Sequence, residues 1–292
     1  MLSGLQLVLG EFVLRSALDV ASGGHFWPWL RPRRTRRELS VSSFLFRLRA
    51  VVNSIFFALW TAFMVSFAVT CSVLLRDFGF FRRMQRIWAG GLTRFWGVEL
   101  AVFGTENMPR DGSYVVMANH TSYADIVALF IALPVTPGFV AKSELMRIPF
   151  LAAALRAGGH VIIDRGRRDR ARQALDHAAA EVRSGKTVLI FPEGTRGDAV
   201  HMGPFKSGGF HLAKAAQVPL LPVGLRGTGR VGPRDSLLIW PGKIEVHIGM
   251  QVPASQIGEL EVPKLMRDVR ARIASLSAFP VDEVDPSVPA PA

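Results

Sequence analysis

The first third of the chain contains one long uncharged run followed by an amphipathic one. Residues 50–75 carry no charge, and this run of 26 residues is long enough to cross a hydrocarbon core of roughly 30 Å. Arginines lie on both sides of the run, so the positive-inside rule selects no orientation. The pattern predicts either a membrane-spanning helix or a helical hairpin that dips into one leaflet. A buried helix of a soluble protein is the third alternative, and the length of the run disfavours it.

After Trp96 short apolar runs alternate with amphipathic stretches. The apolar runs predict strands at residues 98–103, 114–118, 137–141, 160–163, 187–191, 220–224 and 243–248. The stretches between them predict helices at residues 123–133, 149–157, 167–184, 207–217 and 263–276. This order predicts an α/β fold: a layered domain with a mostly parallel sheet flanked by helices, preceded by an N-terminal membrane-associated helical segment.

Changes in composition divide the chain into four predicted segments. A basic and aromatic segment occupies residues 1–45, and a membrane-associated two-helix segment occupies residues 46–97. We expect the layered α/β domain over residues 98–279. Residues 280–292 are acidic and rich in Pro and Ala, which predicts a disordered tail.

The composition favours a membrane surface over nucleic acid as the partner of the chain. The 292 residues include 35 Lys and Arg against 23 Asp and Glu, a net charge of +12, and 49% are hydrophobic. Arginine clusters lie beside Phe, Trp and Leu, so we expect contact with anionic lipid head groups and no specific nucleic-acid partner. The single cysteine, Cys71, excludes a disulfide framework within the chain and a cysteine-based metal site.

The candidate chemistry lies in the sequence NHTSYAD at residues 119–125. An apolar run leads into it and an apolar-periodic stretch leads out, which predicts a strand, a sharp turn and a helix. A histidine whose ring is held by a carboxylate is a general base with a fixed tautomer, and His120 and Asp125 could form such a pair. Alternatively, Ser122 and Asp125 have the spacing of a helix capping box. Five residues turn a helix about 140° beyond one revolution, so the pair requires His120 outside the helix.

Charged residues and a glycine-containing turn follow three other predicted strands. The carboxyl ends of parallel strands carry the binding site in sheets of this kind, so we expect these residues near His120. Cations beside exposed backbone amides suit a phosphate group. The candidate substrate-binding residues are Lys142, Arg165, Glu193, Gly194, Thr195 and Arg196.

Four blocks of the sequence together resemble the glycerolipid acyltransferases. They are His120-x4-Asp125, IDR at residues 163–165, FPEGTR at 191–196 and VPLLPV at 218–223, in the order that this family has them. The segments KSEL at 142–145 and FK at 205–206 are also similar to the family's intervening blocks. The resemblance covers roughly residues 95–250, and bacterial 1-acyl-glycerol-3-phosphate acyltransferases are the most similar members.

The resemblance implies a role for each candidate residue. His120 is expected to be the general base and Asp125 its partner, while residues 193–196 bind the glycerol phosphate acceptor and Lys142 and Arg165 help to hold the phosphate. The family also has a two-helix membrane segment before its catalytic domain, which residues 50–96 resemble.

The resemblance also implies the reaction. We expect a membrane-bound enzyme that moves a fatty acyl group to the free hydroxyl of 1-acyl-glycerol-3-phosphate and gives phosphatidic acid. The expected co-substrate is a thioester, either acyl-CoA or acyl carrier protein carrying an acyl group, with no metal and no other cofactor. The expected location is the bacterial inner membrane, with the catalytic domain on the cytoplasmic side. The alternatives are another lysolipid acceptor, such as lyso-ornithine lipid, and a lipid-binding protein without catalysis.

Overall fold

The computed structural model describes residues 36–109, 112–142, 146–147, 152, 155, 158, 160–163, 168–197 and 201–279. The chain divides into two units, residues 1–46 and 47–292, and the contacts below all lie within the second. The predictions for residues 1–35 and for the tail 280–292 lie outside the described residues. Most of the predicted helix 149–157 lies outside them as well.

Two helices form the N-terminal part of the described chain. Helix α1 spans Arg36–Leu75 and helix α2 spans Phe78–Trp96. Within α1, Phe44–Leu75 is long and apolar enough to cross a membrane by length and composition, the one such helix in the described part of the chain. The helix begins earlier than the uncharged run because the charged residues before Ala50 interrupt the apolar pattern without preventing helix formation.

A sharp turn joins α1 and α2 into a hairpin. Asp77 caps α2, since its Oδ1 accepts a hydrogen bond of 2.7 Å from the amide of Gly79. The indole of Trp60 on α1 donates to the carbonyl of Trp88 on α2 at 3.1 Å. Gly91 makes this approach possible, because a Cβ at its position would lie 2.9 Å from the Trp60 ring.

All seven predicted strands are present, within a few residues of their predicted bounds. They are β1 Val98–Phe103, β2 Val115–Ala118, β3 Gly138–Lys142, β4 Val161–Ile163, β5 Val188–Ile190, β6 Leu220–Arg226 and β7 Gly242–Ile248. They form one sheet in the order β1-β7-β6-β2-β5-β3-β4. Every pair is parallel except β6 with β7, so the prediction of a mostly parallel sheet is confirmed.

Helices connect the strands and cover both faces of the sheet. They are α3 Ala124–Ala132, α4 Arg168–Arg183, α5 Gly208–Ala216, α6 Thr228–Val231, α7 Ala254–Glu259 and α8 Val262–Ser277. Successive residues of β2 belong to different clusters: Val115 and Met117 pack with α4, α5 and α8, while Val116 and Ala118 pack with α2 and α3. Burial on both faces explains why the strands read as continuous apolar runs. The short helices α6 and α7 were not predicted, since four to six residues show no helical period.

The single antiparallel pair fixes where the hairpin lies relative to the sheet. Strand β6 runs parallel to β2, and β7 runs against β6, with Arg226 opposite Glu245. Strand β1 is parallel to β7, with Val98 opposite Gly242. The start of β1, directly after α2, therefore lies at the same edge of the sheet as the carboxyl ends of β2, β5 and β6.

Candidate active site

The turn after β2 is held to a neighbouring strand by the side chain of Asn119. Its Nδ2 donates to the carbonyl of Leu225 at 3.0 Å, and its Oδ1 accepts from the amide of Leu225 at 2.8 Å. The side-chain amide thus pairs with the β6 backbone as a further strand residue would, and it is fully buried. Sequence reasoning assigned no role to Asn119, since its partner lies more than 100 residues away.

His120 and Asp125 form the predicted pair. The ring Nδ1 of His120 lies 2.8 Å from Oδ2 of Asp125, and the Asp125 side chain is fully buried. His120 lies in the turn, and α3 begins only at Ala124, so the two side chains can meet. An ionised carboxylate can only accept, which assigns the proton to Nδ1 and leaves the lone pair on Nε2. The pair therefore has the geometry of a base and its orienting acid.

The same carboxylate oxygen also caps the helix. Oδ2 of Asp125 accepts from the amides of Thr121 at 2.8 Å and of Ser122 at 2.9 Å. Ser122 Oγ accepts from the amide of Ala124 at 3.1 Å rather than from that of Asp125, so only the acidic half of the capping box forms. Among the described residues, Asp125 Oδ1 has no hydrogen-bond partner. The cap and the pair are thus one structure and not alternatives.

Glu193 fixes the backbone of the turn from the loop after β5. Its Oε1 accepts from the amide of His120 at 2.8 Å, and its Oε2 accepts from the amide of Gly203 at 3.1 Å. The carbonyl of His120 in turn accepts from the amide of Gly197 at 2.7 Å. Burial raises the pKa of the Glu193 carboxyl above its usual range, and the two amide hydrogen bonds oppose that rise.

An aromatic ring fixes the imidazole itself. The ring of Phe191 stacks on His120, with 4.0 Å between centroids and 13° between the planes. The imidazole is thus held in its plane by the carboxylate and on one face by an apolar ring, while 17% of its side chain remains exposed. Sequence reasoning included Phe191 in a motif without assigning it this contact.

The FPEGTR turn presents cations at the rim of the site. Gly194 has a φ of +73°, and a Cβ there would lie 2.9 Å from Nζ of Lys206. The guanidinium of Arg196 lies 4.0 Å from the ring centroid of Tyr123, two residues before Asp125. Arg196 also donates to the carbonyl of Arg234 at 3.4 Å. Thr195 is exposed on the same turn.

Two of the predicted phosphate-binding residues are not tested by the structure. Lys142 is the last residue of β3, but its side chain lies outside the described part. Arg165 lies wholly outside the described residues. Their roles stay predictions. Among the described residues, no group of three or more His, Cys, Asp or Glu side chains is placed to hold a metal ion.

An apolar cleft lies between the hairpin and the sheet. It is lined from α1, α2, α3 and β3, and the lining residues include Met64, Phe81 and Phe130. One wall carries His160, whose Nδ1 accepts from the amide of Phe139 at 3.0 Å. Burial lowers the pKa of His160 to about 3, so its ring is neutral near pH 7. The cleft thus offers an uncharged, apolar lining.

Comparison with known proteins gives one family. The family model Acyltransferase matches residues 99–226. A Chlamydomonas reinhardtii protein called 1-acyl-sn-glycerol-3-phosphate acyltransferase is 32% identical over 222 residues, which are 72% of this chain and 66% of that protein. The human protein of that name, form alpha, is 29% identical over 213 residues, or 72% of this chain and 75% of its own length. The crystal structure of the Thermotoga maritima 1-acyl-sn-glycerophosphate acyltransferase PlsC matches with a TM-score of 0.69 at 25% identity. The match covers 79% of this chain and 95% of the other.

Proposed function

The chain belongs to the acyltransferase family, and from this premise we propose that it acylates the free hydroxyl of 1-acyl-glycerol-3-phosphate and so makes phosphatidic acid. The observation that carries the proposal is the contact of 2.8 Å between His120 Nδ1 and Asp125 Oδ2. It leaves Nε2 as a base at the carboxyl edge of a mostly parallel sheet, where ligands of such folds bind.

The proposed reaction needs no protein nucleophile. The acceptor hydroxyl attacks the thioester carbonyl while His120 Nε2 takes its proton, and the resulting imidazolium is stabilised by Asp125. The tetrahedral intermediate then expels the thiolate, which takes the proton back from His120. The new ester bond replaces the thioester bond, and a free thiol leaves. General base catalysis of this kind contributes about 10²–10⁴-fold, and positioning supplies much of the remainder.

We assign the acceptor's phosphate to the rim formed by the FPEGTR turn. Arg196 and Lys206 lie on this rim, beside the glycine turn at Gly194. Their cationic groups suit a phosphate ester, and Lys142 and Arg165 remain proposed contributors by resemblance. Glu193 remains a predicted acceptor-binding residue. Its two backbone contacts favour a positioning role, because a carboxylate turned to the phosphate would repel it.

We propose that the apolar cleft holds a fatty acyl chain. The cleft is bordered by Ile126 and Phe130 of α3, the helix whose first turn carries Asp125. The almost wholly apolar lining of the cleft suits a hydrocarbon chain and does not suit a charged group. We also propose acyl-CoA or acyl carrier protein as the donor, because the proposed reaction requires a thioester.

Membrane association is also part of the proposal. The apolar helix Phe44–Leu75 supports it by length and composition, and a lysolipid acceptor is itself held in a bilayer. We propose the bacterial inner membrane, with the catalytic domain on the cytoplasmic side. The partners proposed are membrane lipids, the lysolipid acceptor and the thioester donor.

The proposal is tested by measuring acyl transfer with purified protein in vesicles. Lysophosphatidate and lyso-ornithine lipid are supplied separately as acceptors with the same acyl-CoA, and products are identified by mass spectrometry. We expect phosphatidic acid from the first acceptor, and a rate lower by 10²-fold or more for His120→Ala. Turnover of lyso-ornithine lipid alone would move the assignment to that acceptor, which the guanidinium of Arg196 could bind through a carboxylate. Equal rates for wild type and His120→Ala would refute the mechanism.

A further inference from the structure

The loop at residues 232–241, between α6 and β7, exposes a leucine at its tip. Leu237 is 86% exposed, the largest exposure of any large hydrophobic residue in the described part of the chain. The loop is nevertheless ordered by its own hydrogen bonds. The amide of Ser236 donates to the carbonyl of Pro233 at 3.2 Å, and that of Leu238 to Ser236 Oγ at 3.0 Å. A single exposed hydrophobic side chain is ordinary, so its neighbours decide whether it belongs to a larger apolar surface.

The loop is bonded to the apolar helix α1. Ser54 Oγ lies 2.7 Å from the carbonyl of Leu237 and 2.8 Å from that of Ala50, which share its one proton, and it accepts from the amide of Ile239 at 3.2 Å. Asn53, buried in α1, donates to the carbonyl of Ile239 at 3.1 Å. Leu237 is thereby fixed beside the part of α1 that exposes Ile55, whose side chain is 54% exposed. Leu237 and Ile55 are thus exposed apolar side chains on adjoining segments, and together they form an apolar surface.

Basic residues border this surface. Arg230 and Arg234 are exposed on either side of the loop's start, and Arg47 is exposed on α1. The side chains of Arg49 and Pro241 both lie against Gly97, where α2 ends and the sheet begins. An exposed apolar surface bordered by arginines matches an anionic bilayer, since the acyl chains take up the apolar groups and the head groups pair with the cations.

We propose that residues 232–241 are a second membrane-contacting element, in which Leu237 inserts among the acyl chains of an anionic bilayer beside α1. The proposal rests on the membrane association in the proposed function and adds a contact outside the hairpin. The loop also reaches the active site, because Arg196 donates to the carbonyl of Arg234. Insertion of Leu237 therefore holds the acceptor-binding turn at the level of the lipid head groups.

A fluorescence experiment tests insertion directly. Cysteines are placed one at a time in the full chain carrying Cys71→Ser, and they are labelled with a polarity-sensitive dye. The probe is Leu237→Cys, and the positive control is Leu59→Cys on α1, where Leu59 is 66% exposed. The negative control is Met250→Cys, since Met250 is 72% exposed beyond the far end of β7. At a rise of about 3.3 Å per residue, the length of β7 puts roughly 20 Å between the loop and the end of the strand that precedes Met250.

Vesicles of phosphatidylcholine with phosphatidylglycerol are added, with and without brominated acyl chains as quenchers. We expect the dyes at positions 237 and 59 to shift to the blue and to be quenched, and the dye at 250 to do neither. Quenching at 59 without quenching at 237 would overturn the loop proposal and leave membrane association intact. Quenching at neither position would refute both the loop proposal and membrane association. The acyl-transfer assay with a short-chain, water-soluble acceptor tests the activity separately.

A second variant measures what the contact contributes. Leu237→Ser leaves the backbone bonds to Ser54 in place and changes an exposed side chain, so we expect an unchanged melting temperature. We expect the apparent KM for acceptor in vesicles to rise about 10-fold. The rate with a short-chain acceptor stays equal to that of wild type. An equal KM for vesicle acceptor in both proteins would contradict the proposal.

Discussion

Replacing Asp125 with Asn separates the catalytic role of this side chain from its role as a helix cap. Asparagine has the shape of aspartate, and its carbonyl oxygen can still accept from the amides of Thr121 and Ser122 and from His120 Nδ1. What it lacks is the negative charge. If Asp125 stabilises the imidazolium that forms during acyl transfer, Asp125→Asn slows catalysis far more than it destabilises the fold.

The contact geometry gives the size of the effect. His120 Nδ1 and Asp125 Oδ2 lie 2.8 Å apart, so the centres of the two delocalised charges lie about 4 Å apart. With an effective dielectric constant of about 20, this interaction is worth about 4 kcal/mol. The lost stabilisation corresponds to a rate lower by about 10³-fold. The loss in unfolding free energy is smaller, about 2 kcal/mol, because the two amide bonds persist with a neutral acceptor.

The assay compares wild type, Asp125→Asn, His120→Ala and the double variant. Initial rates are measured at saturating acceptor and donor, and the melting temperature of each protein is recorded beside them. If Asp125 acts on the chemistry only through the imidazole, the double variant will be no slower than His120→Ala alone. The Asp125→Asn protein should remain folded at the assay temperature.

Two results would refute this reasoning. Multiplicative rate losses in the double variant would mean that Asp125 reaches the reacting atoms without His120. A rate loss in Asp125→Asn that merely follows its unfolded fraction would mean that the carboxylate is only a helix cap. Guanidine titration of each variant gives the unfolded fraction needed to distinguish these cases.

Three further predictions concern Glu193 and Arg196 beside the pair and His160 in the wall of the cleft. Glu193→Gln places an NH₂ group against the amide of His120 or Gly203, so we expect kcat to fall about 10-fold with KM for acceptor little changed. A change in KM alone would instead mean that Glu193 binds the acceptor directly. Arg196→Lys keeps the charge and loses the planar contact with Tyr123, so steady-state kinetics should show an acceptor KM raised about 10-fold at unchanged kcat; an unchanged KM would contradict a phosphate role. The pKa of His160 in the folded protein is about 3, below its ordinary value of 6.5, so the folded state binds fewer protons than the unfolded state. The free energy of unfolding therefore falls as the pH drops from about 6.5 toward 3, by at most about 1.4 kcal/mol per pH unit. Melting curves from pH 7 to 4 should show a shallower acid loss for His160→Asn, and equal slopes would refute this.

The strands and the contact between His120 and Asp125 could be predicted because their signals are local. A strand such as β2 is buried on both faces, so Val115 to Ala118 read as one apolar run without any knowledge of neighbours. His120 and Asp125 lie five residues apart, and their contact follows once a turn precedes the helix. The start of α3 two residues after Ser122 lies within the ordinary uncertainty of helix boundaries.

The supports of the pair could not be predicted, because each depends on a partner distant in sequence. Asn119 bonds to Leu225, 106 residues away, and Glu193 bonds to His120 across 73 residues. From the sequence alone, a glutamate in this motif suggests a binding residue. The structure shows that both of its carboxylate oxygens accept from backbone amides. The bond from Asn53 to Ile239 spans 186 residues. These contacts follow from strand order, which apolar periodicity leaves undetermined.

The direction of one strand links the site to the membrane proposal. Because β7 runs against β6, the strand β1 that follows the hairpin begins at the edge where β2 and β5 end. If β7 were parallel to β6, Val98 would lie at the opposite edge, and the hairpin would be a strand's length from His120. The reversal instead brings Trp96, the end of α2, and the 232–241 loop to the edge of the sheet where His120 lies. An enzyme whose acceptor stays in a bilayer needs its base at the edge that meets the bilayer, and a single antiparallel pair provides this arrangement.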